Sequence, residues 1–243
     1  MAGLLTPSTG TISVFDNLTP GSIEALGKVA YVAQDGPVST SRSVGDAVRI
    51  ARAFNMSFDF DGAVRRLQRL EIDLKQRVSK LSGGQRAQLA ITLALARTPE
   101  LLVLDEPLSS LDPIARRDLL GELMGLCAET GMTIIFSSHV IAELEKIASH
   151  LVLIRDGEAV VAGEIDGLLG QHRIFMGTVT EAELVSNAEG SVISQNHPFT
   201  LSARVIRFDV PPFANALLPP ATLEDLAYAY LERTPFVSGE LTK

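Results

Sequence analysis

The chain has 243 residues, a net charge of −8 and a single cysteine, Cys127. That length suits one α/β core with an extension, and the acidic balance argues against a nucleic-acid partner, since a polyanion needs a basic face. One cysteine offers no disulfide framework and fits a reducing compartment. The N-terminus does not read as a signal peptide, and no apolar run approaches the roughly 18 residues of a membrane span.

In chain order, residues 29–33 predict a short apolar strand, with Gln34 at its end. Just before it stands the Gly27-Lys28 pair. A phosphate-cradling loop needs G-x-x-x-x-G-K-[ST], but here the earlier glycine, Gly21, is one residue too far and Val29 carries no hydroxyl. The pair is a decoy. Residues 43–54 and 61 to about 74 read as helices, with Arg49, Arg52, Arg65, Arg66 and Arg69 on polar faces.

The stretch LSGGQRAQ, residues 81–88, opens the next helix. Ser82 followed by Gln85 is a capping box, and Gly83 and Gly84 fall in its first turn. Glycine costs a helix interior about 1 kcal/mol relative to alanine. The pair leaves two readings open: an ordinary glycine-containing cap, or bare backbone N–H groups at the positive helix end, ready for an anion.

LLVLDEP, residues 101–107, predicts a strand buried on both faces and stopped by Pro107. Asp105 and Glu106 then stand at the carboxyl end of a parallel strand, where open α/β sheets bind ligands. An Asp there suits Mg²⁺ carried in with phosphates, and the neighbouring Glu can orient or deprotonate a water. In SSLDP, Asp112 is an N-cap and Pro113 the first helical residue of a helix that stops at Gly131. Residues 132–139, MTIIFSSH, predict a second buried strand, closing on His139 at the same edge. Residues 150–164 outline a hairpin with Asp156-Gly157 as its turn. Beyond about 165 come short strands and Pro-rich turns, DVPPF and LLPPA, then an amphipathic helix over 223–232 capped by Thr222.

Taken in order, Gln34, LSGGQ, LLVLDEP, SSLDP and His139 resemble the nucleotide-binding subunit of ATP-binding cassette (ABC) transporters, strongly over residues 1–165. The resemblance identifies them with the Q-loop, signature motif, Walker B strand, D-loop (carrying Asp112) and switch histidine. It implies an α/β, P-loop NTPase-like core with a parallel sheet, a helical subdomain over about 35–90 and a small α+β extension over 166–243. The final helix resembles that of bacterial multidrug or antibiotic export subunits. Asp105, with Gln34, would hold Mg²⁺, and Glu106 would act on the attacking water, with His139 and Gln34 sensing the γ-phosphate of ATP. Ser82, Gly83, Gly84 and Gln85 would contact a nucleotide held by the opposite subunit of a head-to-tail dimer.

By the same comparison residues 11–15 would be a strand following a Pro/Gly turn, and the chain would begin downstream of the Walker A loop, so the core is expected to be incomplete at its N-terminus. The implied function is ATP hydrolysis powering a transporter, peripheral on the cytoplasmic face of the membrane. Its partners would be a separate permease and a second cassette, identical or not. The alternative is a non-catalytic or relic subunit that lends only LSGGQ to a partner. A soluble ABC-type protein acting on DNA or ribosomes is opposed by the acidic balance and the single cassette.

Overall fold

A computed structural model of the chain describes residues 2–34, 38–55, 57–145, 147–177, 190–196, 202–208 and 218–231. They fall into two compact units that divide between His139 and Val140.

In the first unit, α1 (Ile23–Lys28) leads into β1 (Val29–Val32). α2 (Val44–Ala53), α3 (Phe60–Arg69) and a 3₁₀ turn (Val78–Lys80) follow. Next come α4 (Gly83–Leu95), β2 (Leu101–Leu104), α5 (Pro113–Thr130) and β3 (Thr133–Phe136). The strands form a parallel sheet in the order β1-β2-β3, with Val32 beside Leu104 and Leu104 beside Phe136. All three therefore end on one line, and whatever follows them meets at one edge.

Two apolar clusters hold this unit. Ala30, Leu102, Leu104, Leu108, Leu119 and Ile91 form one against the sheet. Val44, Val48, Leu67, Ile72, Val78 and Leu89 form the other, among the helices after β1. α4 enters both, through Ile91 and Leu89, because its apolar residues are spread around the helix rather than gathered on one stripe. The helix that begins with the signature residues is thereby packed on two sides.

Local signals set the element ends. Ser43 and Asp46 form a full capping box at α2, and Ser82 and Gln85 form another at α4. Asp112 caps α5 by accepting from the N–H of Ile114 and Ala115, both at 3.0 Å. Gly131 ends that helix in the left-handed region, φ 72°, where glycine carries no Cβ penalty.

Four expectations are corrected. Residues 11–15 form no strand: Val14 and Leu18 bond each other across a tight reversal, with Phe15 and Asp16 at φ 48° and 66°. The second helix of the subdomain stops at Arg69 rather than near 74, because Glu71 turns left-handed and sends Ile72, 2% exposed, into the core. β3 is not buried on both faces. It has a neighbour on one side only among the described residues, and Ile135 is 38% exposed. Arg66, expected on a solvated face, is buried. Its guanidinium donates to Glu122 on α5 and to the Gln88 side chain on α4, both at 2.8 Å, and to the Gln88 carbonyl at 3.0 Å.

In the second unit, the short helix α6 (Ile141–Leu144) precedes the hairpin β4 (His150–Arg155) and β5 (Glu158–Glu164). Its turn places Asp156 and Gly157 at φ 52° and 85°, as a type I′ turn requires. After α7 (Ile165–Gln171), strands β6 (His172–Gly177), β7 (Gly190–Asn196) and β8 (Ser202–Phe208) pair antiparallel in the order β6-β8-β7. The last helix, α8 (Leu223–Leu231), is capped by Thr222 and Asp225. The expected DVPPF turn, residues 209–213, lies outside the described residues. No described helix is long and apolar enough to cross a membrane.

Candidate active site

The parallel register delivers three strand ends to one place. The N–H of Asp105 donates to Val32 O at 2.9 Å, and that of Ser137 donates to Leu104 O at 3.0 Å. The ladder thus continues one residue past each strand, holding Gln34, the Asp105-Glu106 pair and the Ser137 to His139 segment at the same edge. This is where parallel α/β sheets place their ligands.

A cavity of about 250 Å³ opens there, lined among others by Gln34, Gly83, Arg86, Asp105, Glu106 and Ser110. Glu106 is held in an uncommon conformation for a residue with a side chain, φ 48°, which costs of order 1–3 kcal/mol and persists only when its surroundings fix it. Its carboxylate Oε2 lies 2.8 Å from His139 Nδ1. An ionised carboxylate only accepts, so Nδ1 is the nitrogen that donates. The His139 side chain is 70% exposed while that of Glu106 is 20% exposed. The ring is thus the more solvent-facing partner of the pair.

Of the expected residues, Gln34, Asp105, Glu106 and His139 come to this edge, and Gly83 of the signature lines the cavity with them. Asp112 stands apart as a cap. The N–H of Ala115, then that of Ile114, hold its carboxyl below the usual carboxylate range. Ser82 and Gln85 are engaged with each other in the capping box. Ser137, not singled out from the sequence, bonds both Asp105 and the Glu106 backbone. The only sign of it in the sequence is a hydroxyl at a strand end, two residues before His139.

Each signature glycine meets the D-loop differently. A Cβ on Gly84 would stand 3.0 Å from Ser110 O, whereas one on Gly83 would meet Ser110 Cβ at an ordinary 3.5 Å. Gly84 is thus the tighter of the two, and the Ser110 backbone would have to give by a few tenths of an ångström to admit a side chain there. Gly84→Ala is expected to lose about 1–3 kcal/mol of stability through overpacking. Gly83→Ala is expected to be neutral or to gain up to about 1 kcal/mol from helix propensity. Urea denaturation of the two variants checks this, and equal midpoints would refute the close approach.

The chemistry of the donor set can be matched to ligands. The Asp105 and Glu106 carboxylates and the Gln34 amide oxygen are hard oxygen donors of the kind Mg²⁺ accepts, so they fit that ion. They do not by themselves fit a triphosphate. Among the described lining residues the one cation is Arg86, which already donates to Leu81 O at 3.0 Å.

Comparison with known proteins places the arrangement. Residues 1–109 match the family model described as ABC transporter. The Nod factor export ATP-binding protein I of Rhizobium johnstonii is 30% identical over 242 residues, spanning 92% of this chain and 78% of that protein. The chain belongs to the ABC transporter ATP-binding family. Its relatives include a Nod factor export ATP-binding protein I of Bradyrhizobium, 33% identical over 71% of this chain and 58% of that protein. The molybdenum import ATP-binding protein ModC of Vibrio parahaemolyticus is 30% identical over 71% of this chain and 48% of its own length. The chain therefore spans about half the length of such curated relatives, which carry both export and import names. A solved ATP-binding subunit of an ABC transporter superposes with TM-score 0.59 at 25% identity, covering 68% of this chain and 71% of that one. A dimeric ATP-binding cassette bound to ADP and Pi shares the fold, with TM-score 0.54 at 23% identity over 62% of this chain and 71% of that one. The ABC ATPase fold follows from both.

Proposed function

We propose that this chain is an ATP-hydrolysing subunit of an ABC transporter. In this reading it works on the cytoplasmic face of the membrane with a separate permease, and pairs head to tail with a second cassette, identical or not. The observation that carries the reading is the meeting of Gln34, Asp105, Glu106 and His139 at one sheet edge, with Glu106 bonded to His139. The cassette covers residues 1–165, and residues 166–243 are its extension.

Each residue has a chemical part. Asp105, with Gln34, holds Mg²⁺, which when bound neutralises phosphate charge. Glu106 accepts a proton from the attacking water, a role suited to a carboxylate already oriented by a hydrogen bond. His139 fixes that carboxylate and, with Gln34, faces the terminal phosphate. Ser82, Gly83, Gly84 and Gln85 serve the nucleotide of the opposite subunit through N–H groups at the start of α4. Residues 1–243 contain no G-x-x-x-x-G-K-[ST], the loop whose backbone cradle and lysine neutralise the remaining phosphates.

Reconstitution tests this: the full protein, its co-purifying permease and a second cassette are assayed in vesicles for Mg·ATP turnover. Turnover that requires this chain supports the reading, and turnover indifferent to it removes the reading. A second expectation concerns the polypeptide of residues 1–243 alone. Two carboxylates against one engaged arginine leave triphosphate charge uncompensated, so calorimetry should give a dissociation constant for Mg·ATP weaker than about 1 mM. A micromolar constant would overturn that charge argument.

A further inference from the structure

Ser137 is the first residue beyond β3, and its N–H bond to Leu104 O at 3.0 Å fixes it beside Asp105. From that position one hydroxyl does two things. Ser137 Oγ donates to Asp105 Oδ1 at 2.7 Å and accepts the N–H of Glu106 at 2.8 Å. The residue whose N–H it receives is the one held left-handed, at φ 48°. Such a conformation persists in a side-chain-bearing residue only where neighbouring groups over-determine it. On the other side of Glu106, Ser109 Oγ donates to its carbonyl at 2.9 Å, so both backbone groups of this residue are tied.

We infer that Ser137 is a positioning residue: its hydroxyl holds the Glu106 backbone in the left-handed turn and orients the Asp105 carboxylate, so that Glu106 meets His139. The two bonds need a group that gives one hydrogen bond and takes another, which a hydroxyl does and a methyl does not. Threonine keeps both capacities; alanine keeps neither. Ser137 is exposed, so water replaces the lost bonds in alanine without a buried vacancy. Its removal therefore acts on geometry more than on stability. The inference rests on the hydrolytic reading of the site, within which misplacing a reacting group by about 1 Å costs up to about 100-fold in rate.

Two measurements on Ser137→Ala and Ser137→Thr test it. The first uses the 243-residue chain without nucleotide and reads hydrogen exchange at the Glu106 amide. Ser137→Ala should lose protection there while the amides of β1 and β2 keep theirs, and Ser137→Thr should retain it. The second uses the reconstituted transporter, where Ser137→Ala should lower kcat by about 10- to 100-fold with the KM for ATP within about twofold, and Ser137→Thr should restore kcat. An unchanged Glu106 amide in Ser137→Ala, or full kcat in that variant, overturns the inference. Loss of protection in Ser137→Ala, with no turnover even in the wild-type complex, upholds the positioning and removes the hydrolytic reading alone.

Discussion

Glu122→Leu is expected to lose about 3–5 kcal/mol of folding stability, the usual cost of leaving a buried charge without its partner. Arg66 is 7% exposed, and burial pushes its guanidinium below the ordinary arginine range while Glu122 opposes that shift. Its Nε lies 3.1 Å from both Glu122 oxygens, and Nη2 lies 2.8 Å from one of them. Take the carboxylate away and, among the described residues, the cation keeps the neutral groups of Gln88 and Thr92 on α4. The reciprocal change is milder. In Arg66→Met, Glu122 still pairs with Arg69 and its side chain is 22% exposed, so a loss of about 1–3 kcal/mol is expected, that of an imperfectly satisfied polar group. The asymmetry is the sensitive part of the prediction. Urea denaturation of both variants measures it, and a Glu122→Leu loss below about 1 kcal/mol would show that the pair is dispensable. Because Arg66 sits on α3 and bonds both α4 and α5, the same variants test whether the signature helix and the helix after the D-loop are fastened together.

That network also marks where the sequence stops being readable. The caps of α4 and α5 were legible because a capping box or an Asp-Pro pair closes within three residues of itself, and so was the stop at Gly131 after α5. Arg66 was not. Helical periodicity assigns a charge to the outer face, and the carboxylate that reverses the assignment lies 56 residues away. The β3 expectation failed for a related reason. A run of apolar residues is compatible with a buried or an edge position, and only the sheet order decides between them. That Asp105, Glu106 and His139 share one edge was legible because each follows an apolar strand and parallel strands bring their carboxyl ends together, whereas Gln34 stood out only through its place in the ordered series of motifs. Their bonds were not, since the His139 and Glu106 contact and the Ser137 bridge depend on the register of β2 against β3. The glycine pair left open an ordinary cap or room for an anion. For Gly84, the nearest claimant is Ser110 of the same chain.

Glu106→Gln should nearly abolish ATP turnover in the reconstituted transporter while leaving nucleotide binding intact. The amide matches the carboxylate in shape and still accepts a hydrogen bond from His139 Nδ1, which stands 2.8 Å from Oε2. It cannot take the proton of an attacking water. General-base terms are worth about 10²–10⁴-fold, so kcat should fall by about that factor. The backbone is not asked to change, because the left-handed turn at φ 48° is held through the Glu106 N–H and carbonyl rather than its side chain. Removing one negative charge from a cavity that also contains Asp105 lowers the repulsion on a triphosphate, so affinity for ATP should hold or rise. Two measurements separate these effects: steady-state hydrolysis for kcat, and nucleotide retention by the purified complex for binding. Loss of both together would point to a collapsed site rather than a missing base. Turnover at the wild-type rate would take Glu106 out of the chemistry and leave the edge shared by Asp105, His139 and Gln34 without its base.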